Sequence, residues 1–137
     1  MLSPAVSERA PLSPDCDLRR SACTVRFDSG GRAWLDIHPR GIPVVQPLRI
    51  DVRLMDLPTP DRVELDLAGY DMDMGYNRVL LEPVVDADAD ADTPGGTRFT
   101  GSGMLPVCVR DRMTWEARVL LYDGGTIRAA PFRFETV

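Results

Sequence analysis

From Cys23 onward, apolar and polar residues alternate with a period of two, and turn-forming residues interrupt the alternation at short intervals. This pattern is typical of strands that bury one face. In residues 47–55, apolar Leu48, Ile50, Val52 and Leu54 alternate with charged residues. The alternation predicts eight strands, at residues 24–27, 33–37, 47–55, 62–67, 77–84, 97–104, 115–122 and 127–134.

The spacing of these strands predicts the fold class. Strands recur about every ten residues, and no amphipathic helical stretch separates them, which favours an all-β, immunoglobulin-like antiparallel β-sandwich of about seven or eight strands. A small barrel is the alternative. A chain of 137 residues suits one domain. Residues 1–22 are rich in proline and are predicted to be a flexible N-terminal segment, so the sandwich is predicted to span 23–137.

Strand alternation also predicts which loops meet. If each strand reverses direction, loops 38–46, 68–76 and 105–114 lie at the end where the first predicted strand starts, which we call the upper pole. Of nine sulfur-containing side chains, only Met1 and Met55 fall outside this pole. The soft or imidazole side chains assigned to it are Cys16, Cys23, His38, Met72, Met74, Met104, Cys108 and Met113.

Composition restricts the classes of function. The 16 basic residues are all arginine and are outweighed by 21 acidic ones, giving a net charge of -5, which argues against a nucleic-acid partner. No apolar stretch approaches the roughly 20 residues of a membrane helix. The chain has one histidine and lacks the G-x-S-x-G, H-E-x-x-H and C-x-x-C motifs, so we expect no catalytic residues and a non-enzymatic domain.

Met72 and Met74 form the sharpest local feature. In extended backbone they project from the same face, so two thioethers can converge on one point. Thioethers are soft ligands that select Cu(I). The alternative is that both methionines plug an irregular gap at the end of the sandwich.

Other side chains of the upper pole could complete such a site. Cys108 could supply a thiolate, although a cysteine between two valines is also typical of a buried residue or of half a disulfide. His38 could be a further ligand or could simply cap a loop. The predicted Cu(I) ligand set is therefore Met72, Met74, Met104, Cys108, Met113 and His38.

Three cysteines permit one disulfide and one free thiol in an oxidising compartment. The candidates are Cys16, Cys23 and Cys108, and the sequence leaves their pairing open, as it does a reduced, cytosolic state. The acidic run from Asp86 to Asp92 has the alternation of a Ca²⁺ loop, but its twelfth position is Thr97 rather than glutamate. We expect a solvated hairpin tip there.

A family resemblance adds to these observations. It rests on Met72-x-Met74-Gly75, Phe99-x-Gly101, the step from Leu105-Pro106 to Trp115, and the closing Ala130-x-Phe132-x-Phe134. Over residues 61–136 these motifs resemble the YtkA-like and FixH-like domains, which are small immunoglobulin-like sandwiches of bacterial envelopes. Several members are associated with copper handling or cytochrome oxidase maturation, and many carry an N-terminal membrane anchor.

The resemblance implies a periplasmic or envelope location, a membrane anchor upstream of this chain, and a copper-delivery or envelope protein as partner. It implies metal-facing roles for Met72 and Met74 and a core position for Trp115. The histidines expected near the Met-x-Met step are missing, and Tyr76-Asn77 stands there instead, which favours Cu(I) over Cu(II). Two hypotheses follow: an exported domain that binds or transfers Cu(I), or a metal-free structural or protein-interaction module stapled by a disulfide.

Overall fold

The protein is all-β. A computed structural model describes residues 6–70, 77–84, 96–105 and 112–136. The strands in these ranges are β1 (Glu8–Arg9), β2 (Cys23–Arg26), β3 (Arg32–His38), β4 (Leu48–Met55), β5 (Arg62–Gly69), β6 (Arg78–Pro83), β7 (Gly96–Gly103), β8 (Met113–Asp123) and β9 (Thr126–Thr136). Within those ranges there is no helix that could span a membrane.

The strands form one curled sheet in the order β1-β9-β8-β5-β6-β7-β4-β3-β2. Neighbouring strands are antiparallel except for β1, which runs parallel to β9. Strand β6 joins the two halves, because Val79 and Leu81 pair with β5 whereas Glu82 and Pro83 pair with β7. The two halves are therefore continuous through β6.

The predicted all-β class is confirmed, and all eight predicted strands occur with ends shifted by at most two residues. The finer prediction, an immunoglobulin-like sandwich of seven or eight strands, is not confirmed. The described residues form nine strands and a single curled sheet. The difference arises at β1, which the alternation does not mark, and at β6, which takes part in both halves.

Strand β6 passes from one half of the curled sheet to the other at a bend, which we call the corner. Two glycines of β7 leave room for β6 at this corner. A Cβ atom on Gly101 would lie 2.6 Å from Leu81 Cδ2, and one on Gly103 would lie 2.9 Å from Val79 Cγ2. Contacts this short do not occur in relaxed packing, so a side chain at either position would force Leu81 or Val79 of β6 to shift.

The core lies inside the curl and is built from the apolar positions of the alternating pattern. Trp115 and Phe132 are its largest fully buried side chains. The indole Nε1 of Trp115 donates a hydrogen bond to Thr136 Oγ1 at 3.1 Å, which satisfies its polar group inside the core. Trp115 thus occupies the core position that the family resemblance implies.

The N-terminal segment is packed against the sheet from β1 onward. Ala10 and Leu18 are buried in the core, although residues 1–22 were predicted to be flexible. The Glu8 carboxylate accepts hydrogen bonds from the Ser29 backbone N at 3.0 Å and from Ser29 Oγ at 2.6 Å. Hydrogen bonds from Ser29 outweigh a small opposing effect of burial and lower the pKa of Glu8. The segment therefore connects the β9 edge with the β2–β3 turn.

Candidate functional site

The register of β3, β4 and β7 places several predicted residues at one end of the sheet. His38 pairs with Arg49, and Leu48 pairs with Gly103, so Met104 follows at the same end. Beyond it, Leu105 forms an isolated bridge with Val44. This end is the upper pole predicted from strand alternation.

The N-terminal segment shows that the other half of the sheet ends at the same pole. Gly41 N, just beyond β3, donates to the backbone oxygen of Arg19 at 3.2 Å. Cys16 and Arg19 also line a cavity of about 500 Å³ together with Thr114 of β8. Residues 16–19 therefore contact the loop after β3 and share a cavity with the start of β8, where Met113 precedes Thr114.

Three predicted ligands, Met72, Met74 and Cys108, lie outside the described residues. The residues that flank them are described. Tyr70 N donates to Thr114 O, and Leu67 N donates to Asn77 O, so both ends of the segment holding the two methionines lie at the upper pole. The acidic run at residues 86–92 is also outside the described part.

Cys16 and Cys23 form a disulfide with a Cα–Cα distance of 5.6 Å. Cys16–Cys23 is thus the bridge that the structure contains among the pairings the sequence left open, and the third candidate, Cys108, lies outside the described residues. A disulfide sulfur is no thiolate ligand. The bridge instead ties the N-terminal segment to the start of β2.

His38 is held by its own strand. Its Nε2 lies 2.9 Å from Asp36 Oδ2, and the same carboxylate accepts hydrogen bonds from Arg40. Burial alone would raise the pKa of Asp36, but the hydrogen bonds and charges of Arg40 and His38 outweigh it and lower that pKa. An ionised Asp36 gives His38 a partner other than a metal ion.

The two described methionines of the predicted ligand set differ in burial. Met113 is 1% exposed and packs in the core, whereas Met104 is 47% exposed. Met113 thus fills the role of a core side chain, and Met104 presents its thioether to solvent. Among the described residues, no group of three His, Cys, Asp or Glu side chains could hold a metal ion.

Three exposed apolar side chains lie together at this pole. Val44 and Val45 are 38% and 50% exposed, and they adjoin Met104 because Val44 bridges Leu105 and Val45 N donates to Leu105 O at 2.9 Å. We call Val44, Val45 and Met104 the upper-pole patch. Sequence reasoning missed the two valines, although an adjacent pair of valines inside a predicted loop was the available signal.

Comparison with known proteins identifies no similar protein or structure. No protein-family model, curated protein or solved structure matches this chain. The resemblance to YtkA-like and FixH-like domains therefore stays a prediction from the motifs.

Proposed function

We propose that the chain is a non-enzymatic, exported binding module of the cell envelope whose upper-pole patch contacts a protein partner. The observation that carries the proposal is the exposure of Val44, Val45 and Met104 side by side. Adjacent exposed apolar side chains are typical of surfaces that are covered in a complex. A methionine in such a surface adapts its shape to the partner.

The disulfide supports this function. The Cys16–Cys23 disulfide closes residues 16–23 into a ring that contains Arg19. The loop that holds Val44 and Val45 is tied to this ring, because Gly41 N donates a hydrogen bond to the backbone oxygen of Arg19. A loop fixed before binding loses less conformational entropy when the partner arrives. A disulfide also fits an oxidising compartment, as an envelope location requires.

We further propose that the fold is a variant of the immunoglobulin-like sandwich, of the YtkA-like and FixH-like kind. The supporting observation is the division of the sheet into two halves, with β1, β9, β8 and β5 on one side of β6 and β7, β4, β3 and β2 on the other. The continuity of β6 is then a local departure from two separate sheets.

The partner contact is tested by placing a photo-crosslinking amino acid at Val45 in the cells that produce the protein. We expect a discrete crosslinked product that weakens at least fivefold when Met104 and Val44 are both changed to serine. The matched control is the same crosslinker at Gly125, which is exposed in the β8–β9 turn at the opposite end. Equal products at the two positions, or none at Val45, would contradict the proposal.

Cu(I) binding is the second candidate, and one observation favours it. The segment that holds Met72 and Met74 begins and ends at the pole where Met104 is exposed. Because Cys16 and Cys23 are bridged and Met113 is buried, this site would depend on the two segment methionines together with Met104, Cys108 or His38.

Titration of Cu(I) against a competing chelator tests this candidate. We expect Met72→Ile combined with Met74→Ile to weaken Cu(I) binding at least tenfold, because both thioethers are removed while apolar bulk is kept. Met55→Ile, far from the upper pole, is the control. A wild-type affinity for Cu(I) no higher than that of the double variant would contradict a Cu(I) site at Met72 and Met74.

A further inference from the structure

The outer face of strands β2, β3, β4 and β7 is positively charged, although the whole chain carries -5. Three aspartates, Asp36, Asp51 and Asp56, lie on it or at its edge, and Glu82 of β6 pairs with Thr100 at its border. Against them stand the arginines Arg26, Arg32, Arg40, Arg49, Arg53 and Arg98. The negative net charge of the whole chain therefore coexists with a local positively charged surface to which an anion can bind.

The register of this face places like charges opposite each other. Arg26 pairs with Arg32 across β2 and β3, and Arg53 pairs with Arg98 across β4 and β7. Like charges at directly opposed positions destabilise a sheet. Asp51 partly offsets the second pair, since its carboxylate receives two hydrogen bonds of 3.0 Å from Arg98. A bound anion would relieve the remaining repulsion.

Like Arg26 of β2, Arg49 is a cation of this face without an ion-pair partner among the described residues. It is exposed, and within the described part of the chain it forms no ion pair and no side-chain hydrogen bond. His38 and Ser102 flank it in the same cross-strand row. Two surface depressions of about 360 and 470 Å³ adjoin, because Arg49 and Ser102 line both.

The two depressions offer complementary chemistry. Asp51, Arg98 and Thr100 line the first and supply carboxylate, guanidinium and hydroxyl groups. Pro39, Pro47 and Leu48 give the second an apolar wall beside His38. Hydroxyl-rich ligands need donors and acceptors together with a flat apolar surface, and Arg49 adds a site for a carboxylate.

We infer that this groove binds an acidic polysaccharide whose sugar units carry carboxylates, with a sugar carboxylate on Arg49 and sugar hydroxyls on Asp51, Thr100 and Ser102. Single-stranded nucleic acid fits less well. It binds by stacking its bases on aromatic rings, and the Trp34 ring on this face is covered by the Arg53 guanidinium at 4.6 Å. The groove shares no residue with the upper-pole patch, although its second depression lies at the same pole, and the inference does not depend on the patch.

The test is titration of the full chain with oligogalacturonate, followed by calorimetry and by the shift of the unfolding temperature. We expect saturable binding and thermal stabilisation, because a ligand that binds only the folded state raises its stability. Arg49→Ala should weaken binding at least tenfold, and Ser102→Ala about fivefold, the effect of one hydrogen bond.

The control is Arg112→Ala, which removes the same charge from an exposed position outside the groove and should change binding less than twofold. Three outcomes would overturn the inference: no binding, equal losses in the Arg49 and Arg112 variants, or equal binding of neutral dextran. Polyuridylate bound as tightly as oligogalacturonate would also overturn it and would identify a surface for polyanions in general.

Discussion

Replacing Trp115 by alanine is expected to lower the free energy of unfolding by about 3–5 kcal/mol, the usual cost of truncating a large buried aromatic side chain. Trp115 is fully buried at the start of β8, where its strand pairs with both β5 and β9. The cavity left by the indole would open in the hydrophobic core. Since small domains are stable by about 5–15 kcal/mol, this single change should remove a large part of the total.

Urea unfolding followed by circular dichroism measures this effect. Trp115→Phe separates packing from hydrogen bonding, because it keeps an aromatic ring but loses the donor to Thr136 Oγ1. Thr136→Val removes the acceptor and supplies the other arm of a double-mutant cycle, with a coupling of about 1 kcal/mol expected. A loss below 1 kcal/mol for the alanine variant would contradict the core position of Trp115.

Gly101→Val is expected to lower the free energy of unfolding by about 3 kcal/mol, the upper end of the cost of overpacking a core. The new Cβ would lie 2.6 Å from Leu81 Cδ2 and 3.4 Å from Leu80 O. Leu81 can move its side chain only within the packed core, and the Leu80 oxygen belongs to the backbone of β6. The strain therefore falls on the strand that joins the two halves.

The same unfolding measurement compares Gly101→Val with Gly125→Val. A Cβ on Gly125 would meet nothing within 4 Å, so its substitution should change stability by less than about 0.5 kcal/mol. Combining Gly101→Val with Leu81→Ala should restore part of the lost free energy of unfolding. The shorter alanine side chain removes the Cδ2 atom that the new Cβ would otherwise approach too closely. Equal losses in the two valine variants would show that the corner does not require glycine.

Most of the fold could be predicted from residue alternation. In β4, residues Leu48 to Met55 keep an unbroken inside-outside pattern, and burial of one face leaves a single register open to such a strand. The other predicted strands follow the same rule. The upper pole was also predictable, because strand reversal alone determines which loops share an end.

The remaining features depend on contacts between distant residues. Strand β1 has two residues and gains its stability from β9, more than 100 positions away in the chain, so no local pattern marks it. The corner at Gly101 depends on the path of β6, which alternation does not encode. A glycine in a strand pattern was the available signal for such a close approach.

In the candidate site, too, the strand pattern predicted the position of residues but not the packing that depends on distant contacts. Strand parity placed Met104 and Met113 at one pole but could not tell an exposed thioether from a buried one, because that depends on packing beyond the strand ends. The groove beside Arg49 was hidden by the net charge of the chain. Charge summed over a sequence does not show how arginines are distributed among the faces of a sheet.

The short strand β1 has a consequence for how copies of this protein behave together. It occupies part of the outer edge of β9, whose eleven residues include the buried Ile127, Ala129, Ala130 and Phe132. An uncovered strand of this length and hydrophobicity offers unpaired backbone groups to any neighbouring chain. The opposite edge, β2, is four residues long and ends in Arg26. Strand-by-strand aggregation is therefore opposed along residues 127–129 of the β9 border by the added strand, and at the β2 border by its short length and its charge.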